Sequence, residues 1–378
     1  AAMSLKSISA IIGDLAKAQP DWPAISHETM SITRLELHQS TNRLARAYQG
    51  LGVQEGDFVT IALPNSIEFY QACIATWKLG ATPQPISAKL PRVEQIAIVR
   101  LAKPALMVGS GADLALGIQT LPANFMPDRA LSDADLPDKV SRFWKAPTSG
   151  GSTGRPKIIV SEIPGCFDFS QNKPLQQEFD RAQLVPGPLY HNGPFSFSMN
   201  GLFLGNHIVV MTRFDAEQTL ALIEAHNIDW MMMVPTMMSR IWKLPDEIRL
   251  KYDLSSLRVM LHLAAPCPPW LKERWIEWLG GDRVHELFGG TEGTGATWIT
   301  GDEWLAHRGS VGKLLGGAKV KVVNEQGETL PNGEIGEIYL LPPGGQGSTY
   351  HYIGAESSGL DGGWESLGDL GYVLSLIH

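Results

Sequence analysis

TSGGSTGRPK, residues 148–157, cannot contribute to a core: it holds glycines, hydroxyls, one proline and two cations. Its glycines allow backbone N–H groups to converge on an anion. Thr148, Ser149, Ser152 and Thr153 add hydroxyl donors, and Lys157 adds a point charge suited to a polyphosphate. The spacing does not end in Gly-Lys-Ser/Thr, and Pro156 interrupts a helix start, so this is not a Walker A loop. A solvated surface turn is the competing reading. SRFWKAP before the loop is a weak strand signal, and KIIVSE after it is a strong one.

Outward from this loop the chain alternates strand, helix and turn. Residues 31–50 start at a Ser/Thr cap and carry Leu37, Leu44 and Tyr48 on one helical face. FVTIALPN (58–65) reads as a strand, and 66–80 as a helix closed at Gly80. NHIVVM (206–211) and IDWMMMVPT (228–236, ended by Pro235) read as strands around a helix at 215–227 capped by Asp215. SSLRVMLHLAA (255–265) leads into another turn. This alternation predicts parallel sheets covered by helices. From about residue 310 the pattern becomes short alternating runs with turns at Gly327 and Asn332-Gly333, which predicts β-hairpins. The expected organisation is an α/β body over 1–310 and a smaller β-rich unit over 311–378.

Bulk properties narrow the function classes. The 378 residues carry a net charge of −8 with no block of Lys or Arg, which argues against a nucleic-acid backbone as partner. The three cysteines, Cys73, Cys166 and Cys267, are scattered and form no CxxC pair, so neither a disulfide framework nor a zinc site is expected. Residues 1–26 lack the apolar run of a signal peptide and predict an amphipathic helix with Leu5, Ile8, Ile12 and Leu15 on one face. No window reaches the roughly 18 apolar residues of a membrane span, and the expected compartment is the cytoplasm.

Three more stretches carry possible chemistry. ELFGGTEGTGATWIT (286–300) sets Thr291 and Glu292 after an apolar strand signal, where open α/β sheets place ligands. A hydroxyl beside a carboxylate suits a phosphate with its Mg²⁺. GGWESLGDLGYV (362–373) offers Asp369 to the two hydroxyls of a ribose, or as a plain turn residue. PLYHNGPFSFSMNGL (188–202) places His191 at a turn ahead of aromatics that could line an apolar pocket. The methionines 231–233, 237 and 238 read as core or as an adaptable pocket wall.

Taken in order, SGGSTGRPK (149–157), FGGTE (288–292) and LGD (367–369) resemble the motifs of the acyl-adenylate-forming superfamily, which includes acyl-CoA synthetases, luciferases and peptide-synthetase adenylation domains. WKLGATPQPIS (77–87) and PLYHNG (188–193) match two softer signatures. Segments 234–258 and 301–313 look most like the bile-acid and fatty-acid CoA ligase branch. The resemblance implies the family's large N-terminal domain: α/β, with two parallel-type sheets layered with helices plus a smaller distorted β-barrel. It implies an acid–thiol ligase that uses ATP, Mg²⁺ and CoA to convert an apolar, bulky carboxylic acid to acyl-AMP and then to a thioester.

Carried onto this chain, the resemblance implies that Ser149, Gly151, Ser152, Thr153, Gly154 and Lys157 hold the β- and γ-phosphates. Thr291 contacts the α-phosphate, and Glu292 the Mg²⁺. Phe288 and the backbone of Ala264, Ala265 and Pro266 flank the adenine, Gly289 and Gly290 also belong to the cofactor-binding set, Asp369 holds the ribose, and His191 sits beside the acyl carboxylate and gates its pocket. The chain departs from the pattern at Gly150, Phe288 and Leu367. The family also continues past Gly-Asp with a small domain that carries a catalytic lysine, and this sequence ends at His378. The small domain is therefore expected to be absent, with an impaired nucleotide- or adenylate-binding module as the alternative reading.

Overall fold

The computed structural model describes residues 4–109, 114, 116–149, 155–170 and 173–374. Its framework is two sheets with helices between and around them. The strands Phe58–Ile61, Thr82–Pro85, Leu106–Gly109 and Gln119–Pro122 form a four-stranded, wholly parallel sheet. The second sheet has nine strands. Its centre is parallel, with Val284–Gly289, Val259–His262, Trp230–Met233, Ala182–Val185 and His207–Val210 side by side. Its edges are antiparallel: Ala296–Thr300 and Lys313–Leu314 on one side, and Met30–Thr33 on the other.

The helix Ile67–Lys78 touches both sheets, which explains why it is buried on every side rather than along one stripe. Ser66 caps it by accepting from the Phe69 N–H, and Gly80 ends the turn at φ +71°, a conformation open to glycine without strain. Trp77 stacks on Trp144 and meets Phe195 edge-on, joining this helix to the helix Asn192–Phe203 in one core. A second core lies on the far face of the large sheet under the helices Ala216–His226, Pro235–Trp242 and Pro269–Leu279. Strand alternation divides the methionine run: Met231 and Met233 enter that core, whereas Trp230 and Met232 pack on the opposite face.

Beyond residue 310, Lys319–Val323, Gly336–Leu341, Trp364–Gly371 and Gly359–Leu360 make an antiparallel sheet. One strand of this region leaves it. Tyr350–Ile353 pairs antiparallel with Lys157–Ser161, which also pairs with Thr148–Ser149. The layered sheets with a partly closed β unit are the expected α/β architecture.

Two local readings require correction. The first helix spans Ile8–Ala18 with Ser7 as its cap, so Leu5 lies outside it and is exposed, because a Ser hydroxyl accepting from the Ala10 N–H fixes the start. Residues Pro23–His27 then form a strand beside His207–Val210. Pro235 does more than end a strand: it is the first residue of a helix, where its missing N–H costs nothing.

Candidate active site

The four adjacent parallel strands Ala182–Val185, Trp230–Met233, Val259–His262 and Val284–Gly289 all end on one edge of the large sheet. The segments that leave those ends enclose a cavity of about 870 Å³. This is where open α/β sheets bind ligands, because the backbone there is free to diverge. His191, Ala264, Gly289, Gly290 and Thr291 all line it. Ala264 holds φ +76°, a strained conformation for a residue with a Cβ, and such strain concentrates at ligand sites.

The turn after Val284–Gly289 is tight. Gly293 N–H donates to the Gly290 carbonyl at 3.1 Å, which projects Thr291 and Glu292 from the sheet edge. Gly290 lies close under two side chains: a Cβ there would stand 2.2 Å from Leu367 Cδ1 and 2.9 Å from Glu292 Oε2, so both side-chain ends would have to shift. That close approach packs the LGD stretch against the GGTE turn, two motifs separated by some 75 residues of sequence. Asp369 itself lies in the strand Trp364–Gly371 and is exposed.

The glycine-rich stretch joins two short strands. Thr148–Ser149 and Lys157–Ser161 are the two arms of a hairpin, with Ser149 opposite Lys157. The expected phosphate-loop residues Gly151, Ser152, Thr153 and Gly154 lie outside the described residues, as does Gly150. Lys157 Nζ sits 4.3 Å from the centre of the Tyr352 ring. Tyr352 donates its hydroxyl to Glu292 Oε1 at 2.7 Å. A cation, an aromatic ring and a buried carboxylate thus run in series from the hairpin to the GGTE turn. Burial and the Glu292 carboxylate drive the Tyr352 phenol well above its usual range, so it stays a donor.

The remaining expected residues are placed less tightly. Phe288 stands opposite Thr297 in the antiparallel edge of the sheet, and Ala265 and Pro266 are exposed in the loop after Val259–His262. His191 precedes the helix Asn192–Phe203 and packs on Tyr190 with ring centres 4.5 Å apart. Desolvation at the cavity wall lowers its pKa, which favours the neutral imidazole at pH 7.

Other residues at the site escaped the motif reading. The Thr294 and Thr349 hydroxyls line the cavity, buried and without a partner among the described residues, and Ser149 Oγ is likewise unpaired in the hairpin. Lys145 also lines the cavity, though it is only 9% exposed. Under the sheet edge, Lys272 pairs with Glu286, and His262 lies behind them, fully buried. Burial, then the nearby Lys272 charge, pushes the His262 pKa down to about 3, so that ring is neutral. The signal for Lys145 is a lone cation in the apolar run FWKAP; Tyr352 shows only the alternation of a short strand.

Among the described residues no group of three or more His, Cys, Asp or Glu could hold a metal by itself. A single carboxylate with hydroxyls around it suits Mg²⁺, which keeps much of its shell from phosphates and water. No described helix is long and apolar enough to cross a membrane.

Known proteins resemble this chain in sequence and in fold. The model of the family described as AMP-binding enzyme matches residues 14–350. "Probable CoA ligase CCL5" of Humulus lupulus is 26% identical over 373 residues, covering 90% of this chain and 68% of that protein. A feruloyl-CoA synthase of Amycolatopsis is 26% identical over 374 residues, covering 95% and 74%. The inhibitor-bound N-terminal domain of FACL13 from Mycobacterium tuberculosis superposes with a TM-score of 0.82 at 21% identity, covering 98% of this chain and 97% of that one. A family match over most of the chain, the shared fold, and motifs gathered at one sheet edge make this chain a member of the AMP-binding enzyme family, within the acyl-adenylate-forming superfamily.

Proposed function

We propose that this protein is an acyl-CoA ligase that activates a carboxylic acid with ATP and passes the acyl group to CoA. The observation that carries the reading is the series Lys157–Tyr352–Glu292, which links the glycine-rich hairpin to the GGTE turn at the rim of the cavity. A carboxylate is a poor acyl donor because its leaving group would be oxide. In the first step a carboxylate oxygen attacks the α-phosphorus, a P–O bond forms, and the α–β bridge breaks with its electrons leaving on pyrophosphate. In the second, the CoA thiolate attacks the acyl carbonyl and AMP departs as the C–O bond breaks.

The chain's own groups would position and neutralise charge. Ser149, Ser152, Thr153, Lys157 and the amides of Gly151 and Gly154 would hold the β- and γ-phosphates. Thr291 would donate to the α-phosphate, with Thr294 and Thr349 as further hydroxyls on the same wall. Glu292 would hold Mg²⁺, which supplies charge neutralisation when bound. Ala264, Ala265, Pro266, Phe288, Gly289 and Gly290 would flank the adenine, Asp369 would take the ribose, and neutral His191 would stand beside the acid. An apolar, bulky acid of the bile-acid or fatty-acid kind is supported by Leu175, Phe197, Met232, Met237, Leu263 and Leu287 on the cavity wall. We place the body at 1–310 and the β-rich unit at 311–378. A cytoplasmic site of action is supported by the free cysteines Cys73, Cys166 and Cys267.

ATP with Mg²⁺ should raise the melting temperature of the protein, and Lys157→Ala and Glu292→Ala should each remove most of that rise. An unchanged rise in both variants would exclude the assignment of these residues. Acid-dependent exchange of labelled pyrophosphate into ATP then tests the first chemical step directly.

A further inference from the structure

The cavity wall contains one cation whose role the phosphate chemistry leaves open. Lys145 lies just ahead of the hairpin arm Thr148–Ser149, is only 9% exposed, and follows Trp144 of the aromatic core. Its ammonium donates to Asn192 Oδ1 at 2.5 Å and to Ser196 Oγ at 2.6 Å, with the Trp144 ring 4.8 Å away. All these partners are neutral. Among the described residues no carboxylate pairs with it, so burial alone acts on the charge and lowers its pKa to about 7. A desolvated ammonium held only by neutral acceptors costs free energy that a nearby anion would offset.

Asn192 completes a donor pair. Its Oδ1 is taken twice, by Lys145 and by the Ser196 hydroxyl at 3.0 Å. That fixes the side-chain amide and leaves its NH₂ without a partner among the described residues. Both Lys145 and Asn192 line the cavity, and Asn192 follows His191 directly. Two adjacent N–H donors, one charged, match the two oxygens of a carboxylate. The apolar wall of Phe197, Met232 and Met237 continues from there and suits the rest of an acid.

We propose that Lys145 and Asn192 form the carboxylate subsite of the cavity, selecting the ionised acid over neutral isosteres. The inference rests on the reading that this cavity receives the acid to be activated. It makes Lys145 a specificity-determining residue, and it defines the ligand class as a monocarboxylate anion with an apolar body.

The probe pair is 4-phenylbutyrate and its uncharged amide, titrated calorimetrically into the full chain at pH 7 without ATP. The wild type should prefer the carboxylate by about tenfold or more, the scale of one charge-assisted hydrogen bond. Lys145→Met should bring the two ligands within about twofold of each other, while Lys145→Arg keeps part of the preference. The melting-temperature rise produced by ATP should survive in Lys145→Met. Should that variant fail to fold, Asn192→Leu replaces it, with the same loss of preference expected. A folded Lys145→Met or Asn192→Leu protein that still favours the carboxylate as the wild type does overturns the proposal. So does a wild type with no preference, including one that binds neither ligand. Loss of the ATP response in the wild type, with the carboxylate preference intact, would count against the ligase reading and leave this subsite standing.

Discussion

Two buried lysines of this protein, Lys78 and Lys145, have the same lowered pKa of about 7 and opposite surroundings. Lys78 ends the helix Ile67–Lys78 and spends all three protons: on His38 Nδ1 and the His38 carbonyl, both at 3.0 Å, and on Asn42 Oδ1 at 2.6 Å. With Nδ1 accepting, His38 carries its proton on Nε2 and donates to Asp135 Oδ1 at 2.7 Å. The helix Arg34–Gly50 holds the same loop through Asn42 to the Asp133 carbonyl and Arg46 to the carbonyls of Ser132 and Ala134. Lys78 is thus a closed structural node. Lys145 faces a cavity and, among the described residues, has two neutral hydrogen-bond partners and no carboxylate. A perturbed pKa therefore marks desolvation in both places, and whether the donors are already used separates structure from binding.

The largest effect should come from closing off the structural node. Lys78→Met leaves His38 Nδ1 and Asn42 Oδ1 buried without the ammonium that donates to them and should lower folding stability by about 3 kcal/mol in urea titrations. Lys145→Met at pH 7 should leave stability unchanged or raise it, because it removes a desolvated charge whose acceptors can reach cavity water. If both replacements cost the same, the contrast between the two sites breaks.

The pH dependence sharpens the contrast. An unfolded lysine keeps its proton to about pH 10.4, whereas Lys145 in the fold releases it near 7. Between those values the unfolded chain binds more protons, so stability should rise with pH. Lys145→Met should flatten that rise by about 3 kcal/mol between pH 7 and 10. Equal slopes in the two proteins would show that the ammonium is not desolvated in the fold.

The smallest effect should be at the exposed end of the structural node. The hydrogen bond from His38 holds the Asp135 carboxyl below its usual range, so its contribution is present above about pH 4 and lost as pH falls through the lower folded value. Asp135→Asn should cost under about 1 kcal/mol at pH 7, as for other exposed pairs. Its unfolding curve should converge with that of the wild type in strong acid.

What the sequence made legible was whatever needs consecutive residues. TSGGSTGRPK and FGGTE are local in this sense, each readable alone as a turn and gaining a family meaning only from their order, and the Asp215 cap is equally local. Lys145 and Tyr352 were invisible for the opposite reason. Lys145 meets Asn192 across 47 residues, and Tyr352 meets Glu292 across 60, so neither carries a local sign of its partner. Leu5 misled because hydrophobic spacing extends past a cap that stops the helix. Pro235 misled because one residue can end a strand and open a helix.

The pairing of Tyr350–Ile353 with Lys157–Ser161 also sets a timetable for the nascent chain. His351 and Glu162, which meet at 2.6 Å across this pairing, are 189 residues apart. On the ribosome the strand that carries Lys157 must wait with an open edge while the residues between it and Tyr350 are still being made. Such long-range β pairing is slow and leaves edges available to other chains. The pairing that sets Tyr352 beside Lys157 therefore forms long after the hairpin itself is made, and Lys157–Ser161 is the segment for which a chaperone would matter most.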